Sequence, residues 1–333
     1  MLTVLTGDLH LTNKKEDEYR WEALSWLRDK KFDSLIILGD ITDKKDFHDG
    51  VFVNRVFEEL MSFVDMGREV HILMGNHDYS DPSCPFFRFL NHFPNCYYHS
   101  TPQIWEIGNL RWAFFPHSRD PSAYWDVLRR GKELGVSYTL CHQVFSGAKS
   151  ESGIFLLGCS TEGLEGAGKI YSGDVHVPQV VGSVEYIGAP YPIRFGDSFE
   201  PRMVIIDSVN DTKCDLHPPH IQKLVITVSD PEELDYNPMW KAGDQVKVVM
   251  RLSRSSFGKW EMYRKKVRRI CERNDLVLCG IELKERTREK LISSGKKPKS
   301  IPVSHKDQFD KYCTFAGIDD SDISIGQQLL RTV

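Results

Sequence analysis

Four apolar runs in the first 142 residues, at 1–6, 35–38, 70–74 and 136–141, have the length of strands rather than helices. Three run straight into a glycine-led polar motif: GDLH (7–10), GDITD (39–43) and GNHD (75–78). The fourth ends at Cys141-His142. Amphipathic helical stretches near 17–30, 51–66 and 121–134 lie between the runs. Strands apolar throughout and separated by helices are those of a parallel α/β sheet covered on both faces, whose chemistry sits at strand carboxyl ends. The pattern continues with a hairpin, 102–107 and 110–115, turning at Gly108-Asn109, and with strands near 169–173, 180–188 and 202–207. A fifth motif, SGDVH (172–176), closes the first of these.

The motifs place seven potential metal ligands in fixed order: Asp8, His10, Asp40, Asn76, His142, Asp174 and His176. Carboxylates mixed with imidazoles and a neutral amide oxygen suit manganese, iron or zinc better than calcium. Two such cations about 3.5–4 Å apart can clamp a phosphate ester and supply a hydroxide as nucleophile. Asp40 is the best candidate for a bridging carboxylate. Asp8 and His10, two apart on an extended segment, would point the same way, and Asp174 and His176 repeat that spacing. Asn76 and His142 can serve the second ion. Glycines 7, 39, 75 and 173 directly precede ligands and would let backbone approach metal and phosphate. His77 is placed to protonate a leaving oxygen, with Asp78 orienting it or holding the turn. A lone Asp after a strand is most often structural, but five motifs in this order, each closing a strand, have few structural uses. His48 can touch substrate or stand behind the ligands, and His117 reads as structural or outer. His71, His92, His99, His217, His220 and His305 have no supporting context.

Apolar residues make up 41% of the 333 and charged residues 27%, a folded rather than disordered balance. No run of eighteen apolar residues occurs, so no transmembrane helix is expected. The chain enters a strand at once without a secretory leader, which makes export unexpected and the cytoplasm the expected compartment. Eight scattered cysteines (84, 96, 141, 159, 214, 271, 279 and 313) without a CxxC pair read as reduced thiols, neither disulfides nor a zinc cluster. The net charge of -4 does not mark a nucleic-acid binder, yet residues 251–300 carry sixteen Lys and Arg against six Asp and Glu, a local +10. Such a segment can be a phosphate-backbone footprint or a solvated helix face.

Residues 143–168, with six glycines and little periodicity, read as a substrate-side loop after His142. The pattern breaks near 210–220, at SVNDTKCDLHPPH. Beyond it, strands at 222–228 and 245–251, a helix at 257–274 and a strand at 277–283 predict a small α+β domain. SSGKKPKSIPVS (293–304) reads as a flexible linker and 305–333 as an apolar tail that docks on its own domain or on a partner.

Taken together, GDLHL, GDITD, GNHD, CHQ and GDVH closely resemble the calcineurin-like metallophosphoesterase superfamily. The stretch SGDVHVPQVVGSVEYIGAPYPIRFGDSFEPRMVIID (172–207) is similar to the SbcD-type DNA repair and recombination nucleases of bacteria and phage. The resemblance is specific over 1–210 and loose over 220–290. It implies an α/β fold: a β-sandwich flanked by helices in four layers (α/β/β/α), with a smaller α+β capping domain and a C-terminal tail. The implied domains are a nuclease domain (1–212), a DNA-touching capping domain (213–292), and a linker with a partner-docking tail (293–333). It further implies two Mn2+ ions, with Mg2+ as the substitute. Asp8, His10, Asp40 and His176 would hold one, Asp40, Asn76, His142 and Asp174 the other, with His77 catalytic. Asp174 departs from the family, which usually has histidine there. The implied partners are DNA, an SbcC-type ATPase of the SMC-like class and a second copy of the chain, with no membrane. The implied function is exo- and endonucleolytic hydrolysis of DNA by a metal-bound hydroxide. Two rivals stand beside it: a small-molecule phosphodiesterase or phosphatase on the same scaffold, and a non-catalytic scaffold subunit.

Overall fold

The computed structural model describes residues 1–121, 133–164, 166–234 and 240–285. Two six-stranded sheets carry the amino-terminal two-thirds. The first has the order β12-β11-β1-β2-β3-β4, from β1 (Leu2–Thr6), β2 (Ser34–Ile37), β3 (Glu69–Leu73), β4 (Cys96–His99), β11 (Met203–Asp207) and β12 (Thr212–Leu216). Its strands β1 to β4 are parallel, and β11 and β12 extend it antiparallel. The second has the order β5-β6-β7-β8-β10-β9, from β5 (Gln103–Ile107), β6 (Leu110–Phe115), β7 (Tyr138–His142), β8 (Lys169–Gly173), β9 (Gln179–Val181) and β10 (Val184–Tyr186). Here β6, β7, β8 and β10 are parallel, with antiparallel β5 and β9 at the edges.

Period-two alternation explains why these runs are apolar throughout. Val4, Leu35 and Ile37 turn to one face of the first sheet, beneath helices α1 (Glu18–Arg28) and α2 (Gly50–Asp65). Leu5 and Ile36 turn to the other face and meet Trp112, Phe114 and Leu140 of the second sheet. Ala113 and Phe115 point to that sheet's far side, where Phe145, Ala148 and Leu164 of the glycine-rich segment cover them. The helix α2 buries Phe52, Val56, Leu60 and Phe63, a stripe at helical spacing. Each such side chain contributes about 1.5–3 kcal/mol by leaving water. Asp49 starts this helix, its carboxylate accepting from the Phe52 N–H at 2.9 Å.

The expected strand at 180–188 is instead a hairpin, β9 and β10, turning at Gly182 with φ +58°. Edge strands β4 and β12 have no expected counterpart. In β12 four of five residues are exposed, so an edge position supplies no apolar run to read. That strand also carries the chain across residue 212 before it leaves the first sheet.

A third sheet, β13-β14-β15, follows from β13 (Lys223–Val228), β14 (Gln245–Leu252) and β15 (Val277–Glu285). All three strands are parallel, with α3 (Trp260–Arg273) crossing between the last two. It has its own core around Val246, Val248, Met250, Val267 and Ile270. No helix among the described residues is long and apolar enough to cross a membrane. The described cysteines carry no disulfide. The helix expected at 121–134 falls largely on 122–132, and the linker and tail fall on 293–333, outside the described residues.

Candidate metal centre

Both sheets deliver their ligand residues to one place. Asp8 and His10 follow β1, Asp40 follows β2, and Asn76 and His77 follow β3, on neighbouring strands of the first sheet. His142 ends β7, and Asp174 and His176 follow β8, on neighbouring strands of the second. The sheets are tied across the gap by His142 Nδ1, 2.6 Å from the Leu38 carbonyl, and by the His117 N–H donating to the Met74 carbonyl at 2.8 Å.

Asp8 and His10 converge, but not on an extended segment as the sequence suggested. Their φ angles are +52° and +43°, and Asp40 and Asp174 are likewise left-handed at +54° and +76°. Non-glycine residues rarely adopt this conformation, and a run of them at one place is stored strain that the surrounding packing holds. The loop bonds supply that hold: the Asp8 N–H donates to the Gly39 carbonyl at 3.0 Å and the His10 N–H to the Asp40 carbonyl at 2.9 Å. Two of the glycines have demonstrable reasons. Gly39 has φ +91°, and a side chain there would collide with His142 Nδ1. At Gly75 a Cβ would strike the carboxylate and backbone nitrogen of Asp40.

The side chains form three overlapping groups whose ligand atoms lie within 4.8 Å of one another: Asp8, His10 and His176; His10, Asp40 and His77; and Asp8, Asp40 and His142. Asp40 stands in the middle. Its Oδ2 is 3.5 Å from His10 Nε2 and its Oδ1 is 3.4 Å from His142 Nε2, while Oδ1 also accepts from the His77 N–H at 2.8 Å. Asn76 Oδ1 is 3.4 Å from His142 Nε2, and Asp174 Oδ1 is 3.9 Å from it. The Asp174 N–H donates to Asp8 Oδ1 at 3.1 Å. Thus all seven ligand candidates and His77 share one cleft of about 230 Å³ or its immediate wall.

Charge is dense and the charged groups are buried. Burial raises the Asp8 carboxyl to about 6, against the pull of His142 and His176. Burial also raises Asp174, again opposed by His142. Burial works the same way on Asp40, but His142, His10 and His77 around it hold its carboxyl well below the ordinary range. Burial drives His10 well below the usual imidazole value, whereas at His142 burial is overcome by Asp40, Asp174 and Asp8, which keep it well above. Asp8 Oδ2 and both ring nitrogens of His10 are buried without a hydrogen-bond partner. Unsatisfied buried acceptors beside opposed carboxylates and imidazoles are costly in a dry protein, and a divalent cation satisfies them. The donor set therefore fits metal.

Some participants carried weak signals or none in the sequence. Asp78 holds the turns, accepting from the backbone N–H groups of Gly75 (2.7 Å), Asp40 and Ile41 (both 2.9 Å). Burial and the Asp40 charge push its carboxyl up to about 7 against those donors. Glu151, from the glycine-rich segment, lies 2.6 Å from His176 Nδ1, whose hydrogen bond holds the Glu151 carboxyl down near about 2. Val144, Ser150 and Leu156 of the same segment, together with Arg194, line the cleft. Nothing in the local pattern marked Glu151, since its partner lies twenty-five residues on across a loop. The Asp43 carbonyl, 2.9 Å from His77 Nδ1, was equally invisible because backbone groups leave no trace in sequence. His117 stands outside, its ring 6.1 Å from His142 and its Nδ1 2.8 Å from the Tyr79 hydroxyl, with burial pushing it down to about 4. His71 and His99 lie away from the cleft as a stacked buried pair, Nδ1 to Nε2 3.0 Å.

Known proteins resemble this chain over part of its length. Exonuclease subunit 1 of Enterobacteria phage T4 is 23% identical over 208 residues, covering 59% of this chain; the chain spans 61% of that relative's length. A solved structure described as GAP50, the anchor in the inner membrane complex of Plasmodium, aligns with a TM-score of 0.38 at 10% identity, over 67% of this chain and 90% of that one. Residues 1–149, which bring Asp8, His10, Asp40, Asn76, His77 and His142 to the cleft, match the calcineurin-like phosphoesterase family, and Asp174 and His176 lie beyond the matched span. The match to the calcineurin-like phosphoesterase family thus covers the amino-terminal 149 of the 333 residues.

Proposed function

We propose that the protein is a two-metal DNA nuclease, hydrolysing phosphodiester bonds with exo- and endonucleolytic activity. The observation that carries this reading is the convergence of seven ligand candidates and His77 on a buried cleft that both sheets build. The relative named as an exonuclease subunit supports DNA as substrate over a small phosphate ester. In this reading Asp8, His10, Asp40 and His176 would hold one ion and Asp40, Asn76, His142 and Asp174 the other, with Mn2+ the preferred metal and Mg2+ the substitute. Bound there, the cations supply Lewis-acid stabilisation of the phosphoryl oxygens and a water acidic enough to act as nucleophile.

The remaining chemistry belongs to the chain. The Asp43 carbonyl can only accept, so His77 Nδ1 donates to it. That contact fixes the ring through Nδ1 and leaves Nε2 as the atom that, in this reading, delivers a proton to the leaving 3′-oxygen. Water would release one proton to solvent as its oxygen bonds to phosphorus, the bond from phosphorus to the 3′-oxygen would break, and the Nε2 proton would go to that oxygen, His77 regaining a proton from solvent. Glu151 fixes the ring of His176 through Nδ1, and Asp78 fixes the turns that carry Asp40 and Asn76. We assign 213–292 the role of a capping unit on DNA and 293–333 that of linker and docking tail. The assembly we propose is a homodimer working in the cytoplasm with an SbcC-type ATPase in DNA repair and recombination.

Manganese-dependent cleavage of single- and double-stranded DNA, with and without such an ATPase, tests this reading against hydrolysis of a cyclic nucleotide. Activity on the cyclic nucleotide alone would assign the cleft to a small ester, and failure to bind two metals by calorimetry would favour a non-catalytic scaffold. His77→Ala is expected to retain metal and DNA binding and lose cleavage by about 10²–10⁴-fold. Full activity in that variant would remove His77 from its role.

A further inference from the structure

Beside the metal cleft lies a second cavity of about 270 Å³, between the loop that follows β1 and the loop that leads into α2. We propose that it is a nucleotide-binding subsite, taking the base and adjoining phosphate of the nucleotide next to the scissile bond on the His77 side. The inference rests on the DNA nuclease reading above and goes beyond it by placing a substrate group.

Asp43 connects the two. Its residue lines this cavity, its carbonyl holds His77 Nδ1 at 2.9 Å, and its carboxylate is 3.8 Å from His10 Nδ1. A strand whose phosphate lies in the cleft would run on past His77 and Asp43 into it. The walls carry the chemistry such a nucleotide requires. Phe47 is 84% exposed, a free aromatic face at the rim. The His48 ring is wedged among Phe86, Phe52 and Phe87, with centroids at 4.8, 5.3 and 5.4 Å, and its Nε2 is buried with no hydrogen-bond partner. Lys14 and Lys44 also line the cavity, and neither ammonium makes an ion pair among the described residues. Asn13 adds a side-chain amide. Of the nearby carboxylates, Asp49 is engaged by the start of α2 at the Phe52 N–H, and Asp43 faces the cleft histidines.

An inorganic anion would use the lysines and leave the exposed ring without purpose. An apolar ligand would leave the lysines and His48 Nε2 unmatched. A stacking face, an unpaired ring nitrogen and two free cations together match a base with its phosphate, the combination used by single-strand sites.

The test uses the full chain with manganese, a single-stranded oligonucleotide carrying 2-aminopurine near its end, and bis(p-nitrophenyl) phosphate, a diester without bases. With wild-type protein, 2-aminopurine should be quenched at one position only. Phe47→Ala should abolish that quenching and raise the KM for DNA by roughly 5- to 150-fold. Lys44→Gln should raise it less, and turnover of the base-free diester should stay within about twofold in both. Both residues are exposed, so loss of folding is not expected, and the base-free diester reports it. Unchanged quenching and KM in Phe47→Ala, with DNA still cleaved, would overturn the subsite and leave the nuclease reading intact. An equal loss on both substrates would also overturn it. Wild-type protein that hydrolyses the small diester but neither binds nor cleaves DNA would end both.

Discussion

The metal cleft and the three-stranded sheet of β13–β15 treat charge in opposite ways. In the cleft Asp8, His10, Asp40 and His142 are almost wholly buried, and four ligand candidates sit at left-handed φ. Around β13–β15 and α3 the charges face outward in exposed pairs, Arg254 with Glu285 at 2.8 Å and Arg264 with Glu261 at 2.9 Å. Exposed pairs of this kind add little, because water screens them and long side chains lose entropy on pairing. Buried charges with strained backbone are costly, and persist where a bound ion or substrate returns the energy. The difference separates a region that stores buried charge and backbone strain from one whose charges follow ordinary surface rules.

Removing charge from the cleft should produce the largest effect. Asp40→Asn keeps an acceptor for the His77 N–H but loses the central carboxylate, and turnover should fall by more than about 100-fold, with weaker metal binding by calorimetry. Undiminished turnover would move the chemistry out of the cleft. Glycine substitutions sharpen the contrast in stability. Gly39→Ala forces a left-handed residue against His142 and should cost at least about 2 kcal/mol in denaturant unfolding. Gly280→Ala, in β15, meets only Lys247 Cγ at 3.9 Å and should be neutral or stabilise by about 0.5 kcal/mol.

One charged group of the third sheet breaks its pattern. Lys223, buried in β13, reaches Asp17 Oδ1 and the Ile193 carbonyl, both at 3.3 Å, and Asp17 pairs with buried Arg20 at 3.2 Å. Arg20 in turn donates to the His10 carbonyl, so a buried ionic chain links the third sheet to a metal-ligand loop. Lys223→Met should cost about 1–3 kcal/mol, less than a lone buried charge because Arg20 still satisfies Asp17. Arg254→Ala should not move the melting temperature measurably.

A further effect is expected in pH dependence. Burial lowers the imidazoles of both His71 and His99 below the usual 6.5. Below that pH the unfolded chain therefore binds more protons than the folded one, and this pair withdraws stability as pH falls through 6.5. Within the cleft the shifts oppose one another, Asp8 and His142 being raised while His10 and Asp40 are lowered. His71→Gln isolates the pair: its unfolding free energy should fall less steeply than the wild type's between pH 7 and pH 5. An identical slope would show that the pair does not titrate on unfolding.

Much of this was legible in the chain because strands buried on both faces leave continuous apolar runs, and ligands at their ends stand next to glycine. The runs at 1–6, 35–38, 70–74 and 136–141 match β1, β2, β3 and β7 to within two residues at either end. Edge strands β4 and β12 left no such mark, because an edge needs neither two apolar faces nor a strict alternation. Nor did the left-handed backbone at Asp8 and His10, where residue spacing suggested an extended segment.

By itself the sequence determined the order of the ligand candidates, the alternation of strands and helices that brings each candidate to a strand end, and the family resemblance those features carry. Tertiary structure decided what distance along the chain conceals. It set Glu151 against His176, the Asp43 carbonyl against His77, and Lys223 against Asp17 more than two hundred residues away. It also opened a cavity beside the cleft whose walls come from two separate loops. Local pattern records what each residue must bury, whereas contacts between loops follow from how the two sheets pack, and that packing is a property of the whole chain.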